Sequence, residues 1–307
     1  MTDEKGVDIS AYSMDIDKDQ IATVVFDMPG KVNVMNEVFM TAMKELVEQL
    51  EAQAGMLRGV VITSAKSTFF AGGDLALMLR SEAGRESFLI DHFNALKGYF
   101  RRLEKLPYPV VAAINGTALG GGYELCLACH YRIALRNEKT LIGLPEVQFG
   151  ILPAAGGVVR LAYLLGLSSA LPFLLSGKKV DVQAAKNHGL IDDIVATGDE
   201  LLGAARDWIL HTNAPIQRWD SSPMKLNVSQ YPLAESRAIE EVEAEFSIAE
   251  RENPAITEII RIAHLVPQMA VDQALGEETL SFVKLVLSQN AKQRITQFFE
   301  LNRKKAS

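Results

Sequence analysis

The sequence predicts an α/β fold in which parallel strands alternate with helices, followed by a mostly helical C-terminal region. Residues 21–26, 59–63 and 109–114 are apolar, β-branched runs with the length of buried strands. Apolar side chains at spacings of three and four predict one amphipathic helix in each interval between these strands. Near-continuous apolar strands that alternate with helices indicate a sheet with parallel strands, covered on both faces.

The two predicted helices follow from this spacing, and the second half of the chain differs from the first. The apolar positions are Phe39, Met43, Leu46 and Leu50 in the first helix, and Leu89, Phe93, Leu96, Phe100 and Leu103 in the second. After about residue 153 only residues 190–196 form a further candidate strand. Helical patterns cover residues 234–251, 256–269 and 275–287. The second half is therefore expected to be mostly helical.

We expect two domains, a catalytic core of residues 1–212 and a helical C-terminal region of residues 213–307. Prolines and serines place the linker within residues 213–232. The apolar face of residues 275–287 is expected to cover the core or to pack against another subunit. Residues 161–176 are interrupted by Gly166 and Pro172 and fall short of the roughly 20 residues of a spanning helix. They are expected to form two short helices, and no membrane contact is predicted.

Composition excludes several classes of function. Of the 307 residues, 48% are apolar and 22% are charged, which is typical of globular proteins. A net charge of -7 and the absence of a Lys/Arg block disfavour nucleic acid as a partner. The two cysteines, Cys126 and Cys129, form a lone C-x-x-C without further ligands at zinc spacing, so we expect buried thiols and no metal site. So few cysteines indicate the cytoplasm or another reducing compartment.

Two glycine-bearing segments stand at predicted strand-to-helix turns. Residues 69–74 read Phe-Phe-Ala-Gly-Gly-Asp, and residues 115–124 read Asn-Gly-Thr-Ala-Leu-Gly-Gly-Gly-Tyr-Glu. Glycine lets a ligand approach the backbone, and the first N–H groups of a helix favour developing negative charge, as an oxyanion hole requires. Tight turns or close helix packing would also explain the glycines. Neither segment has the G-x-G-x-x-G spacing of a dinucleotide site.

Two glutamates lie in apolar surroundings near these segments. Glu124 follows the triple glycine on an apolar helix, and Glu146 follows Pro145. Burial disfavours the charged form of a carboxyl group and prepares it for proton transfer near neutral pH, so the two acids suit an acid/base pair. A solvated or helix-capping role is the alternative, above all for Glu146, because an acid at a helix start stabilises the dipole.

Four segments, taken in order along the chain, resemble the crotonase (enoyl-CoA hydratase/isomerase) superfamily. They are residues 69–74, residues 118–124, the Gly-Leu-Pro-Glu run ending at Glu146, and residues 150–157. The resemblance covers roughly residues 11–195. It implies a spiral core of β-β-α units with a helical C-terminal region. The tail from residue 255 onward resembles the end of the N-terminal hydratase half of multifunctional fatty-acid-oxidation proteins, and no G-x-G-x-x-G strand follows it.

The resemblance also implies roles for individual residues. Glu124 and Glu146 would be catalytic, and Gly73 and Gly121 would supply the N–H groups of an oxyanion hole. The remaining substrate-binding positions would be Lys31, Ala71, Asp74, Leu75, Gly120 and Pro145. Water would add syn to a trans-2-enoyl-CoA, with Glu124 taking a proton from the water and Glu146 giving one to C2. Coenzyme A is then part of the substrate, and no cofactor is implied.

The family resemblance implies a homo-oligomer, either a trimer or a dimer of trimers. It leaves open an enoyl-CoA isomerase, a thioester hydrolase and an inert acyl-CoA-binding subunit. Three departures from the family pattern bear on pocket shape: His130 in place of a frequent aspartate, a longer loop at residues 136–140, and Ala154 with Ala155 in a usually glycine-rich turn. We interpret His130 as a structural histidine.

Overall fold

A computed structural model describes residues 11–212, 216–220, 233–245 and 253–306. The chain forms two compact units. The first unit contains Met1–Gly73, Gly98–Ile142 and Val180–Gln217, and the second contains Asp74–Lys97, Gly143–Lys179 and Arg218–Ser307. The helical region expected from residue 213 onward thus shares the second unit with two earlier segments. Most of the expected linker, residues 213–215 and 221–232, lies outside the described residues.

Nine strands occur in the described residues. They are β1 (Tyr12–Ile16), β2 (Ile21–Phe26), β3 (Gly59–Ser64), β4 (Val110–Ile114), β5 (Ala118–Leu119), β6 (Tyr131–Leu135), β7 (Leu141–Gly143), β8 (Val180–Asp181) and β9 (Asp193–Val195). The main sheet has the order β1-β2-β3-β4-β6-β9, and β5, β7 and β8 form a smaller sheet. Only β1 is antiparallel to its neighbour in the main sheet. The predicted parallel strands are confirmed.

The helices alternate with these strands and then dominate the chain. They are α1 (Glu37–Ala52), α2 (Leu75–Arg80), α3 (Glu86–Glu104), α4 (Gly121–Ala128), α5 (Gly157–Leu165), α6 (Leu167–Ser176), α7 (Val182–Asn187), α8 (Gly198–His211), α9 (Leu233–Glu245), α10 (Pro254–Leu265), α11 (Val271–Val286) and α12 (Gln289–Ala306). Short 3-10 helices span Glu146–Phe149 and Val266–Gln268. Within the described part of the chain, no helix combines the length and apolar character needed to cross a membrane.

Helices cover both faces of the main sheet in the first unit, as predicted. On one face, Val61, Val111 and Ile133 pack with Ala205 and Ile209 of α8. On the other face, the ring of Phe39 from α1 lies 5.8 Å from the ring of Phe26 on β2. Each large apolar side chain buried in this way contributes about 1.5–3 kcal/mol. The α/β class predicted from the apolar runs is therefore confirmed.

The second unit is built from helices that pack through apolar faces. The ring of Phe282 on α11 lies 4.4 Å from that of Phe93 on α3, and both are buried. Lys97 and Glu278 form a buried ion pair at 2.9 Å beside them. The apolar face of α11 thus packs within its own chain. Gly166 separates α5 from α6 as expected, but Pro172 lies inside α6, so its expected role as a break was wrong.

Candidate active site

The two glycine-bearing segments predicted from the sequence lie side by side in the first unit. The N–H of Leu119 donates to the carbonyl of Phe70 at 3.1 Å, and Phe70 also pairs with Ala118 as an isolated bridge. Met35 pairs with Gly73 in the same way, and its N–H donates to Gly72 O at 3.0 Å. These backbone contacts join the two segments side by side, and the pairing with Met35 holds Gly73 in place.

Backbone conformation favours glycine at the first position of the triple, and close packing favours it at the other two. Gly120 has φ 53° and ψ -129°, a conformation that is essentially restricted to glycine. A Cβ on Gly121 would stand 2.6 Å from the sulfur of Met35, and one on Gly122 would stand 2.5 Å from Cβ of Phe70. The backbone at the start of α4 is thus bare and closely packed.

Helix α4 begins at Gly121, so its first N–H groups have no acceptor within the helix. The positive end of the helix dipole adds to their preference for negative charge. Met35 pairs with Gly73 through its backbone, and its side chain lies against Gly121. Bare backbone at a helix start is what the expected oxyanion hole would require, and that role stays a prediction.

Asn33 anchors the first glycine segment and was not identified as a key residue from the sequence. It is 0% exposed, and its Oδ1 accepts from the N–H of Met28 at 3.0 Å. Its Nδ2 donates to Phe69 O at 3.1 Å and to Ser64 Oγ at 2.9 Å. Its carbonyl accepts from the N–H of Ala71 at 2.9 Å. A single buried amide thus holds the segment that leads to Gly73.

The two candidate catalytic acids are both buried, one in each unit. Glu124 is 2% exposed on α4, all of whose residues are buried. Glu146 is 9% exposed and opens the 3-10 helix in the second unit, after Pro145. Their burial disfavours the solvated alternative considered for each. Glu146 does occupy the first turn of a helix, so favourable interaction with the dipole accompanies any chemical role.

The remaining predicted substrate-binding positions differ in exposure and partners. In the first unit, Lys31 and Ala71 are exposed, whereas Gly120 is buried. In the second unit, Asp74 caps α2 by accepting from the N–H of Leu77 at 2.9 Å, and Leu75 begins that helix. Asp74 therefore has a structural role in addition to any contact with substrate.

His130 and the cysteines have structural environments. Nδ1 of His130 accepts from the N–H of Val110 at 3.0 Å, and Nε2 lies 3.2 Å from Glu104 O. Cys126 and Cys129 are buried, and burial raises the pKa of the Cys129 thiol to about 12. Among the described residues, no cluster of three or more His, Cys, Asp or Glu side chains is arranged to hold a metal ion.

Comparison with known proteins shows which family the chain belongs to. The model of the enoyl-CoA hydratase/isomerase family matches residues 17–243, which include both glycine segments and both acids. The chain belongs to this family. The crotonase resemblance drawn from four short motifs is thereby confirmed over most of the chain.

Similar proteins extend this result beyond the matched region. The fatty acid oxidation complex subunit alpha of Vibrio parahaemolyticus is 34% identical over 294 residues, covering 94% of this chain and 41% of that relative. The chain thus spans about two fifths of that relative's length. An enoyl-CoA hydratase structure from Bacillus anthracis has 27% identity and a TM-score of 0.60, covering 76% of this chain and 90% of that one.

A further solved structure supports the fold alone. Human mitochondrial delta3-delta2-enoyl-CoA isomerase is 21% identical, with a TM-score of 0.65 over 97% of this chain and 100% of that one. The fold is therefore that of the crotonase superfamily, and the chain is a member of a family of enzymes. Hydratases and isomerases share this fold, so the fold does not choose between the two reactions.

Proposed function

We propose that the protein is an enoyl-CoA hydratase that adds water syn across the 2,3 double bond of trans-2-enoyl-CoA thioesters. The observation that carries the proposal is the burial of both glutamates, at 2% exposure for Glu124 and 9% for Glu146. A buried carboxyl group is costly to keep, and perturbed acids concentrate at functional sites. Hydration needs two acid/base groups, whereas an isomerase that shuttles one proton can use a single acid.

In the proposed mechanism, the N–H groups of Gly73 and Gly121 hold the thioester oxygen. As water attacks C3, negative charge moves onto that oxygen, and donors fixed in advance stabilise it without reorganisation. Such a donor contributes about 100- to 1,000-fold to the rate. The packing of Met35 and Phe70 against the triple glycine supports this role, because it keeps the donors rigid.

Each of the two glutamates carries out one proton transfer. Glu124 takes a proton from the attacking water, and Glu146 gives a proton to C2, so that the product is the 3-hydroxyacyl thioester. Each acid/base group contributes about 100- to 10,000-fold. All atoms of the product come from the substrate and water, so the proposed reaction consumes no co-substrate.

The coenzyme A part of the substrate is proposed to bind mainly through the backbone. Ala71 and Gly120 would contact it in the first unit, and Asp74, Leu75 and Pro145 would line the path to the acids. Lys31 is exposed, and its ammonium group on a flexible side chain would pair with a phosphate group of coenzyme A. The name of the relative from Vibrio parahaemolyticus supports a role in fatty-acid β-oxidation.

Three substrates separate the candidate reactions in one experiment. A hydratase lowers the absorbance of the conjugated enoyl thioester when given crotonyl-CoA or a longer trans-2-enoyl-CoA. An isomerase raises that absorbance when given a 3-enoyl-CoA, and a hydrolase releases coenzyme A whose free thiol a disulfide reagent detects. An inert subunit would bind the thioester and change none of these signals. We expect loss of trans-2-enoyl absorbance to dominate.

The family also motivates a proposal about assembly. We expect a homo-oligomer built on a trimer, either a single trimer or a pair of trimers. Sedimentation velocity on the purified chain measures the mass directly. A monomer at micromolar concentration would contradict this part of the proposal and leave the chemistry unaffected.

A further inference from the structure

The short helix that carries Glu146 has few hydrogen bonds of its own. Within it and at its end, the N–H of Gly150 donates to Val147 O at 3.0 Å, and the N–H of Ile151 donates to Glu146 O at 3.3 Å. Gly150 then reverses the chain with φ 71°. A single 3-10 turn has poor hydrogen-bond geometry and little intrinsic stability. The position of Glu146 therefore depends on contacts from elsewhere in the second unit.

Asn253 supplies a direct contact from a distant part of the chain. It is 5% exposed, and its Nδ2 donates to Val147 O at 3.0 Å, across 106 positions of sequence. Its Oδ1 accepts from the N–H of Ala255 at 3.2 Å and caps α10. The side-chain oxygen of this buried amide thus caps the start of α10, and its nitrogen binds the carbonyl of Val147, the residue after Glu146.

Other contacts close the remaining sides of the same turn. A Cβ on Gly150 would stand 2.5 Å from Asn290 Oδ1 on α12, so the turn packs directly on that helix. The ring of Phe149 meets that of Phe298 edge to face at 5.2 Å. Gln148 Nε2 donates to Gly177 O at 3.0 Å, at the end of α6. Among these contacts, the hydrogen bond from Asn253 is the one made to the residue adjacent to Glu146.

We infer that Asn253 is a positioning residue for Glu146, through its hydrogen bond to the carbonyl of Val147. The inference rests on the proposed function, in which Glu146 gives a proton to C2. Asn253 does not touch the reacting atoms in this account. It fixes the turn that carries the carboxyl group, and a displacement of about 1 Å in a catalytic group can cost about 100-fold in rate.

Two substitutions at this position separate the donor from the helix cap. Asn253→Asp keeps an oxygen to cap α10 and loses the donor to Val147, whereas Asn253→Ala loses both. We expect kcat for trans-2-enoyl-CoA to fall about 10- to 100-fold in both variants, with KM within about two-fold of wild type. Because Asn253→Ala also loses the helix cap, its melting temperature should be the lower of the two. A wild-type kcat in Asn253→Asp would overturn the inference.

A helix cap in the first unit, which does not contain Glu146, serves as the matched control. Thr197 caps α8 through a capping box with Glu200. Thr197→Ala should lower the melting temperature and leave kcat unchanged. An equal loss of kcat in Thr197→Ala would show that any lost cap reduces the rate, and would remove the case for a specific role of Asn253.

A double-mutant cycle tests whether the effect passes through Glu146. In a Glu146→Gln background, Asn253→Asp should cause no further loss of rate, because the group that it positions is already disabled. A further loss as large as that in the wild-type background would show an independent effect and would contradict the inference.

Amide hydrogen exchange provides a readout that does not depend on the reaction. The N–H groups of Gly150 and Ile151 should exchange faster in Asn253→Asp than in wild type, because their turn opens more readily. Unchanged exchange would contradict the inference. A wild-type chain that leaves trans-2-enoyl-CoA unaltered would instead refute the proposed hydration, so the two failures are distinguishable.

Discussion

The sulfur atom of Met35 occupies the space that a side chain on Gly121 would need. A Cβ on Gly121 would stand only 2.6 Å from this atom. The backbone of Met35 pairs with Gly73 and its buried side chain packs against Gly121, so one residue contacts both proposed donors. The geometry of the proposed oxyanion hole thus depends on a contact between Met35 and the first residue of α4.

Gly121→Ala should reduce kcat for crotonyl-CoA by about 10- to 100-fold, because the buried side chain of Met35 or the start of α4 must shift to admit the added methyl group. Met35→Val removes the sulfur and should restore part of the rate when it is combined with Gly121→Ala. Steady-state kinetics of the two single variants and the double variant measure this coupling. If Gly121→Ala kept the kcat of wild type, rigid placement of this donor would not matter.

Asn33→Ala should lower the free energy of unfolding by about 2–4 kcal/mol, because the buried groups that it pairs are left without partners. Urea denaturation measures the loss. Asn137→Ala is a suitable control, since Asn137 is exposed and its side chain accepts from the N–H of Lys139 in its own turn. This control should stay within about 0.5 kcal/mol of wild type. Equal effects from the two substitutions would argue against an anchoring role for Asn33.

Lys97→Met should destabilise the protein by about 3–5 kcal/mol, because it leaves the carboxylate of Glu278 buried beside an apolar side chain. Glu278 is 0% exposed, and Lys97 lies 2.9 Å from it. The double variant Lys97→Met with Glu278→Leu should lose less than the single variant. Lys186→Met removes a surface ion pair with Asp193 and should cost less than about 1 kcal/mol. A loss of stability below about 1 kcal/mol for Lys97→Met, as small as that of the surface pair, would contradict the account.

The stability of the second unit should depend on Glu258 in acid. Burial alone would raise the pKa of Glu258, but hydrogen bonds from Lys284, Ser281 and Arg261 outweigh it and lower the pKa from 4.5 to about 2. A depressed pKa in the folded state contributes stability above pH 4.5 that is lost as the pH falls toward 2.

Melting temperatures measured across this interval, for wild type and for Glu258→Gln, test the assignment. The wild-type value should fall more steeply than that of Glu258→Gln, because the amide cannot be protonated in this range. Parallel curves would show that the ion network around Glu258 does not contribute to the acid response.

The sequence predicted the elements whose signals are local. Strand β2 matches its apolar run. Helix α2 begins at Leu75, directly after the first glycine segment, and helix α4 begins at Gly121, within the second. Strand β1 was missed because it lies at the sheet edge, where its residues are not an apolar run. Strand β6 was missed because it follows α4 after only two residues.

Contacts between distant residues could not be predicted in this way. Nothing in the sequence near Asn33, Met35 or Asn253 distinguishes them from ordinary loop residues. Their importance comes from folding, which places each against the backbone of a candidate site segment. The apolar setting of the two acids and the crotonase resemblance singled them out from the sequence. Their burial is seen only in the structure, and their catalytic role stays a prediction.

The central claim is that this chain hydrates trans-2-enoyl-CoA with two buried glutamates. The most direct test follows the absorbance of crotonyl-CoA and a longer trans-2-enoyl-CoA with wild type, Glu124→Gln and Glu146→Gln. The account predicts rapid loss of absorbance with wild type and a rate about 100- to 10,000-fold lower with either variant. Full activity in either variant, or no loss with wild type despite measurable binding of the thioester, would contradict it.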